Sequence, residues 1–190
     1  MIKRLKAREN DSHPVAWSRF EGARDRHDLL DFVAGGIYYG QLVEGVREGY
    51  GVLYCTNSDG DQMLYECEWE LGLPVSGRMK ELFNGKWSKY EGRFDAHYSQ
   101  TGVGTWSNED GHKYQGQFLK GDRQGQGKYT WPDGQVYEGR WREGKKHGSG
   151  KLTYANGSFK IGEYVDDREV GRHQKYSKVG NLIVDTDYDK

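Results

Sequence analysis

Six histidines and two cysteines are the side chains of this 190-residue sequence best suited to metal or nucleophilic chemistry, and that chemistry needs them to converge. His13, His27, His97, His112, His147 and His173 are scattered along the chain. Neither Cys55 nor Cys67 lies beside a histidine, and their spacing is not that of a metal site. They flank Asp59-Gly60 almost symmetrically, which would let them face each other across two strands. Without a secretion signal reduced thiols are the expectation, and whether the two ever pair stays open at this stage. Gly125-Gln126-Gly127 has part of a dinucleotide-binding glycine pattern, but a repeat described below accounts for it. The sequence holds no phosphate loop and no paired-histidine motif, so the expectation is a chain that is not an enzyme and takes no cofactor and no metal.

Aromatic and basic side chains offer binding rather than catalysis. Tyr90, Phe94, Tyr114, Phe118, Tyr129, Trp131, Tyr137, Trp141 and Tyr154 recur in register and form one candidate surface. Such rings either stack into a thin core or leave an exposed groove that takes a helical or extended partner segment, or a second copy of the chain. Arg140, Arg142, Lys145, Lys146 and Lys151 form the second candidate, a basic face able to attract anionic phospholipid headgroups. The plainer reading of such a run is a solvated sheet face. Single-stranded nucleic acid would use the same residue types, but a net charge of −1 argues against it.

The elements that position these residues follow from composition and spacing. Leu, Ile, Val and Phe together fall under the ~20% level that raises the question of disorder. Net charge is near zero, however, and aromatics reach 14%, so Tyr and Trp must supply the apolar area of a folded chain. With 28 Gly and a mean hydropathy of −1.00, a thin sheet fits better than a thick core. Tyr137, Gly139, Trp141, Gly144, Gly148, Gly150, Leu152, Tyr154 and Asn156-Gly157 mark one unit. The same offsets 23 residues earlier give Tyr114, Gly116, Phe118, Gly121, Gly125, Gly127, Tyr129, Trp131 and Asp133-Gly134. Related units start near 38, 65, 90 and 160; the one at 65 carries Cys67 and Ser76 where glycines belong. Within a unit, Tyr137, Gly139 and Trp141 alternate with Glu138, Arg140 and Arg142, which is the period of a strand. Short turns around Gly144 and Asn156-Gly157 make each unit a hairpin. The expected fold is all-β: an elongated single-layer antiparallel sheet of stacked β-hairpins in which each repeat touches its neighbours.

The pattern Y-x-G-x-[WF]-x-x-G-x-x-x-G-x-G, repeated every 23 residues, resembles the MORN (membrane occupation and recognition nexus) repeat. The resemblance covers about three quarters of the chain, as a MORN-like solenoid over 38–183. It implies a non-enzymatic scaffold that binds a partner protein within a cytoskeletal, ciliary or membrane-associated assembly. A peripheral adaptor on anionic phospholipid is the alternative it carries. Residues 1–37 are expected to form an N-terminal, partly helical cap, with Ser12-His13-Pro14 as a helix start and Trp17, Phe20, Ala23, His27 and Leu30 on one side. Residues 184–190 read as a tail. No stretch is long and apolar enough for a membrane helix or a signal peptide, so the expected location is cytoplasmic, cytoskeleton- or cilium-associated.

Overall fold

The computed structural model of the protein describes residues 14–24 and 31–188. Among these every regular element is a β-strand, and all pairings are antiparallel. The chain divides into two compact units, Met1–Thr101 and Gly102–Lys190. The first unit carries β1 (Val15–Phe20), β2 (Ala23–Arg24), β3 (Asp31–Val43), β4 (Val46–Asn57), β5 (Gln62–Glu70), β6 (Leu73–Phe83) and β7 (Lys86–Phe94). There β1 and β2 pair with β3, and β3 to β7 then pair in chain order. The second unit carries β8 (Gln100–Asn108), which starts at the boundary, followed by β9 (Lys113–Leu119), β10 (Asp122–Thr130) and β11 (Val136–Arg142). It continues with β12 (Lys145–Thr153), β13 (Phe159–Val165), β14 (Arg168–Tyr176) and β15 (Leu182–Asp187), again paired in chain order.

Two kinds of turn recur, alternating through the second unit from β9 onward. The tight ones place two successive residues at positive φ, as at Glu143 (49°) and Gly144 (75°), the geometry whose twist matches the flanking strands. The wider ones are held by an Asn or Asp side chain that accepts backbone N–H groups further on, as Asn57 Oδ1 does from Asp59 and Asp61. Most tight-turn hairpins also contain an irregularity in their register near the turn, for example between Gly139 and Trp141 in the β11–β12 pair, whereas β6 and β7 pair without one.

Two sequence expectations are corrected here. Val15–Phe20 is a strand on β3, not the start of a helix. The three- and four-residue spacing of Trp17 and Phe20 coexists with β-branched Val15 and with an alternation in which Trp17 and Arg19 point to solvent and Phe20 is buried, and pairing along β3 satisfies the backbone. His27 and Leu30 lie outside the described residues. At the other end β15 runs to Asp187, so most of the segment read as a tail is paired with β14.

Candidate functional site

Each strand presents a ring face and a reverse face. On the ring face a tyrosine from the first strand of a repeat lies across glycines of both strands. Tyr137 covers Gly139 and Gly150, and Tyr114 covers Gly116 and Gly127. The hydroxyl then donates to the carbonyl three residues on: Tyr38 to Gln41 at 3.0 Å, Tyr90 to Arg93 at 2.9 Å, Tyr114 to Gln117 at 3.0 Å and Tyr137 to Arg140 at 3.2 Å. The neighbouring Trp or Phe meets this ring edge-on, at 5.2 Å for Tyr137–Trp141 and 5.0 Å for Tyr114–Phe118. Trp69 and Trp141 donate their indole N–H to the carbonyls of Gly51 and Gly127. A cation at the start of the second strand closes the stack. Arg47 lies 5.1 Å from the Trp69 ring, Arg123 4.5 Å from Trp141, and Lys146 5.0 Å from Tyr164.

This arrangement uses up most of the rings that the spacing offered as a docking surface. Tyr90, Phe94, Tyr114, Phe118, Tyr129, Tyr137 and Trp141 are buried, while Trp131 and Tyr154 keep partial exposure. In the first unit the chain also covers its own ring face. Tyr98 packs edge-on against Tyr65 at 5.8 Å and sits 5.7 Å from Phe20, and Arg47 bridges to the Tyr98 hydroxyl and the Gly72 carbonyl. Tyr98 comes from the turn where the repeat starting at Tyr90 is one residue longer than the two 23-residue repeats that follow it, a signal present in the sequence whose consequence the spacing alone does not reveal.

Burial also governs the acid–base chemistry. The Tyr90 and Tyr114 hydroxyls are pushed up to about 12 by desolvation, against which the hydrogen bonds to Tyr90 and the charge of Arg123 beside Tyr114 act. Burial likewise raises the Cys55 thiol to about 12 and Cys67 further, so neither is a nucleophile at neutral pH. The strand register places Cys55 opposite Met63 and Cys67 opposite Gly51, four positions apart along the β4–β5 pair, and both are free thiols. The face-to-face placement suggested by the Asp59-Gly60 turn is therefore not found. Among the described residues no group of three or more His, Cys, Asp or Glu is gathered as a metal site.

The basic candidates divide between the faces. Arg142 pairs in register with Lys145, and Lys151 with Glu138, which puts these and Arg140 on the reverse face of the second unit; Lys146, opposite Trp141, belongs to the ring face. Arg142 is bridged to Asp166 at 3.1 Å, and Lys128 to Glu138 at 3.2 Å. A shallow depression of about 480 Å³ on this reverse face is lined by Lys128, Glu138, Ser149, Lys151 and Ile161.

Large apolar side chains that sequence reasoning did not offer as a binding surface are exposed on the reverse face of the first unit. Trp17 is 71% exposed, Ile37 53% and Tyr54 46%, with Tyr39 and Leu64 partly exposed beside them. They are consecutive across the strands: Trp17 pairs with Tyr39, Ile37 with Tyr54, and Tyr54 with Leu64.

Fold and faces together define a repeat protein in which, within each unit, neighbouring β-hairpins share an aromatic ladder. The MORN repeat matches residues 38–60, 114–136 and 137–159, and the chain carries MORN repeats at these places. No curated protein matches the chain. The MORN family is a non-catalytic repeat family whose members bind proteins or membranes. Among the described residues no helix is long and apolar enough to cross a membrane.

Proposed function

We propose that the protein is a non-enzymatic scaffold or adaptor that holds a partner protein segment within a cytoskeletal, ciliary or membrane-associated assembly. The observation that carries this reading is the contrast between the faces of the first unit: rings are sealed on one side, and Trp17, Ile37 and Tyr54 stand in solvent on the other. An exposed contiguous apolar patch on a thin sheet is the physical mark of an interaction surface. The docking surface is thus assigned to the reverse face of the first unit rather than to the buried rings. Affinity purification with the wild type and an Ile37→Ser/Tyr54→Ser variant tests it. Proteins lost selectively with a variant that keeps the wild-type β-sheet spectrum are expected; an unchanged set of proteins contradicts the reading.

A second reading rests on Arg140, Arg142, Lys145 and Lys151 sharing the reverse face of the second unit. These would attract anionic phospholipid, the interleaved Glu138 and Asp166 weakening the pull. Flotation with phosphatidylserine vesicles should then fall steeply with salt and fall again when the four residues are changed to Gln. Flotation indifferent to both removes this reading.

A further inference from the structure

The apolar strip on the reverse face of the first unit has a charged end, and that end selects the occupant. One row runs across the strands as Ile37, Tyr54, Leu64, Lys80 and Lys89, each residue in register with the next. The adjacent row runs Tyr39, Val52, Glu66, Arg78 and Glu91, where Arg78, 4.0 Å from Glu66 and 3.6 Å from Glu91, offsets one of the two carboxylates. In the first row Lys80 and Lys89 are both exposed, and Lys89 shares the Glu91 carboxylate with Arg78. Three cations against two carboxylates make the charged end of the strip net positive, with the excess on the row of Lys80 and Lys89.

The geometry points to an amphipathic helix of a partner protein, apolar over two turns and acidic beyond, lying across β3 to β7 on this row. The inference rests on the protein-scaffold reading above and adds the chemistry of the partner. Neighbouring strands are about 4.8 Å apart, so Ile37 to Leu64 spans roughly 10 Å and Lys89 lies roughly 19 Å from Ile37. With a helical rise of about 1.5 Å per residue, apolar side chains at i, i+3 or i+4 and i+7 cover the strip. Carboxylates about ten and fourteen residues after the first anchor then reach Lys80 and Lys89. An anionic bilayer fits this face less well, because Glu66 and Glu91 sit beside the strip and would be pressed against like charge.

Selection of binders to the intact protein from a displayed library of helical peptides tests the assignment. Selected peptides should carry the apolar spacing followed by Asp or Glu. The best of them should bind Ile37→Ser/Tyr54→Ser too weakly to measure and Lys80→Glu/Lys89→Glu about tenfold less tightly. A peptide with Lys in place of its carboxylates should recover affinity for Lys80→Glu/Lys89→Glu, a rescue that misfolding of the variant cannot produce. The inference is overturned by a selection that yields no binder sensitive to Ile37→Ser/Tyr54→Ser. Binders without acidic residues and indifferent to the lysines overturn it as well, as do self-association or phosphatidylserine-vesicle binding that depends on the same strip. In each of these cases partner capture in the preceding experiment is read separately, so the scaffold reading stands or falls on its own result.

Discussion

Tyr137 lies on Gly139 and Gly150 and ties its hydroxyl to the Arg140 carbonyl, so a methyl group at Gly150 would overlap the ring itself. Backbone at Gly139 and the ring leave no direction in which to relax. Gly150→Ala should therefore destabilise by about 1–3 kcal/mol, the usual cost of overpacking, read as a lowered urea midpoint. Gly148 shows a different requirement at the same strand: its φ of 66° sits at the register irregularity, where the Arg140 side chain lies along it. The same tyrosines make the fold sensitive to alkali. Their folded values lie above the ordinary one of about 10, so the neutral hydroxyl favours the folded state. That stability is whole below pH ~10 and is lost as pH rises toward about 12. Absorbance of tyrosinate from Tyr90 and Tyr114 should consequently appear together with loss of the β-sheet signal; a separate early titration would mean that these hydroxyls are not held as described.

Repeat by repeat, the last hairpin differs in a coordinated way. Lys160 stands where the other repeats have the tyrosine, and His173 stands where Gly127 and Gly150 stand in theirs. The His173 ring lies over Gly162 from the opposite strand, and its Nε2 reaches the Glu163 carbonyl at 2.8 Å, the counterpart of the Arg140 carbonyl that receives Tyr137. Glu169, at the position of Arg123 and Lys146, binds Lys160 at 3.0 Å, so the cation over the rings has become an ion pair. His173→Gly alone should cost about 2–4 kcal/mol through the void it leaves. Adding Lys160→Tyr should recover most of that loss, a coupling visible in a double-mutant cycle. A loss that merely adds would show that the imidazole is not acting as the missing ring. At this scale the sequence was highly legible: the period of 23, the strand alternation and the tight turn at Gly144 all hold, because a repeat states its geometry several times over. The N-terminal strand was not, since Trp17 and Phe20 fit a helical spacing as readily as an alternating one until β3 is there to pair with. The exchange at Lys160 and His173 was invisible for a related reason: each looks like loss of the pattern until the two positions are seen to occupy one volume.

For the molecule as a whole, both thiols lie in the first unit while the best-formed repeats lie in the second. Cys55 and Cys67 are buried and their thiols pushed up, so labelling by a thiol reagent at neutral pH should require the first unit to open. In a repeat array stability is a sum of local and nearest-neighbour terms. Gly150→Ala should accordingly lower the urea midpoint of the bulk β-sheet signal more than that of thiol labelling; equal shifts would indicate a single cooperative block. The candidate docking strip was the least legible feature. Ile37, Tyr54 and Leu64 occupy variable positions of three different strands, and only the register brings them side by side. The aromatic stripe, conspicuous in the sequence, is core because interlocked edge-on rings and stacked cations cover one another without a second layer. The exchanged ring in the final hairpin also carries a history. If the repeats descend from copies of one ancestral unit, the two substitutions did not have equal chances of coming first. A histidine arriving over an intact tyrosine would have met occupied space, whereas a tyrosine lost first left only a hole that the next change could fill. On that descent, packing favours loss of the ring from one strand before its replacement on the other.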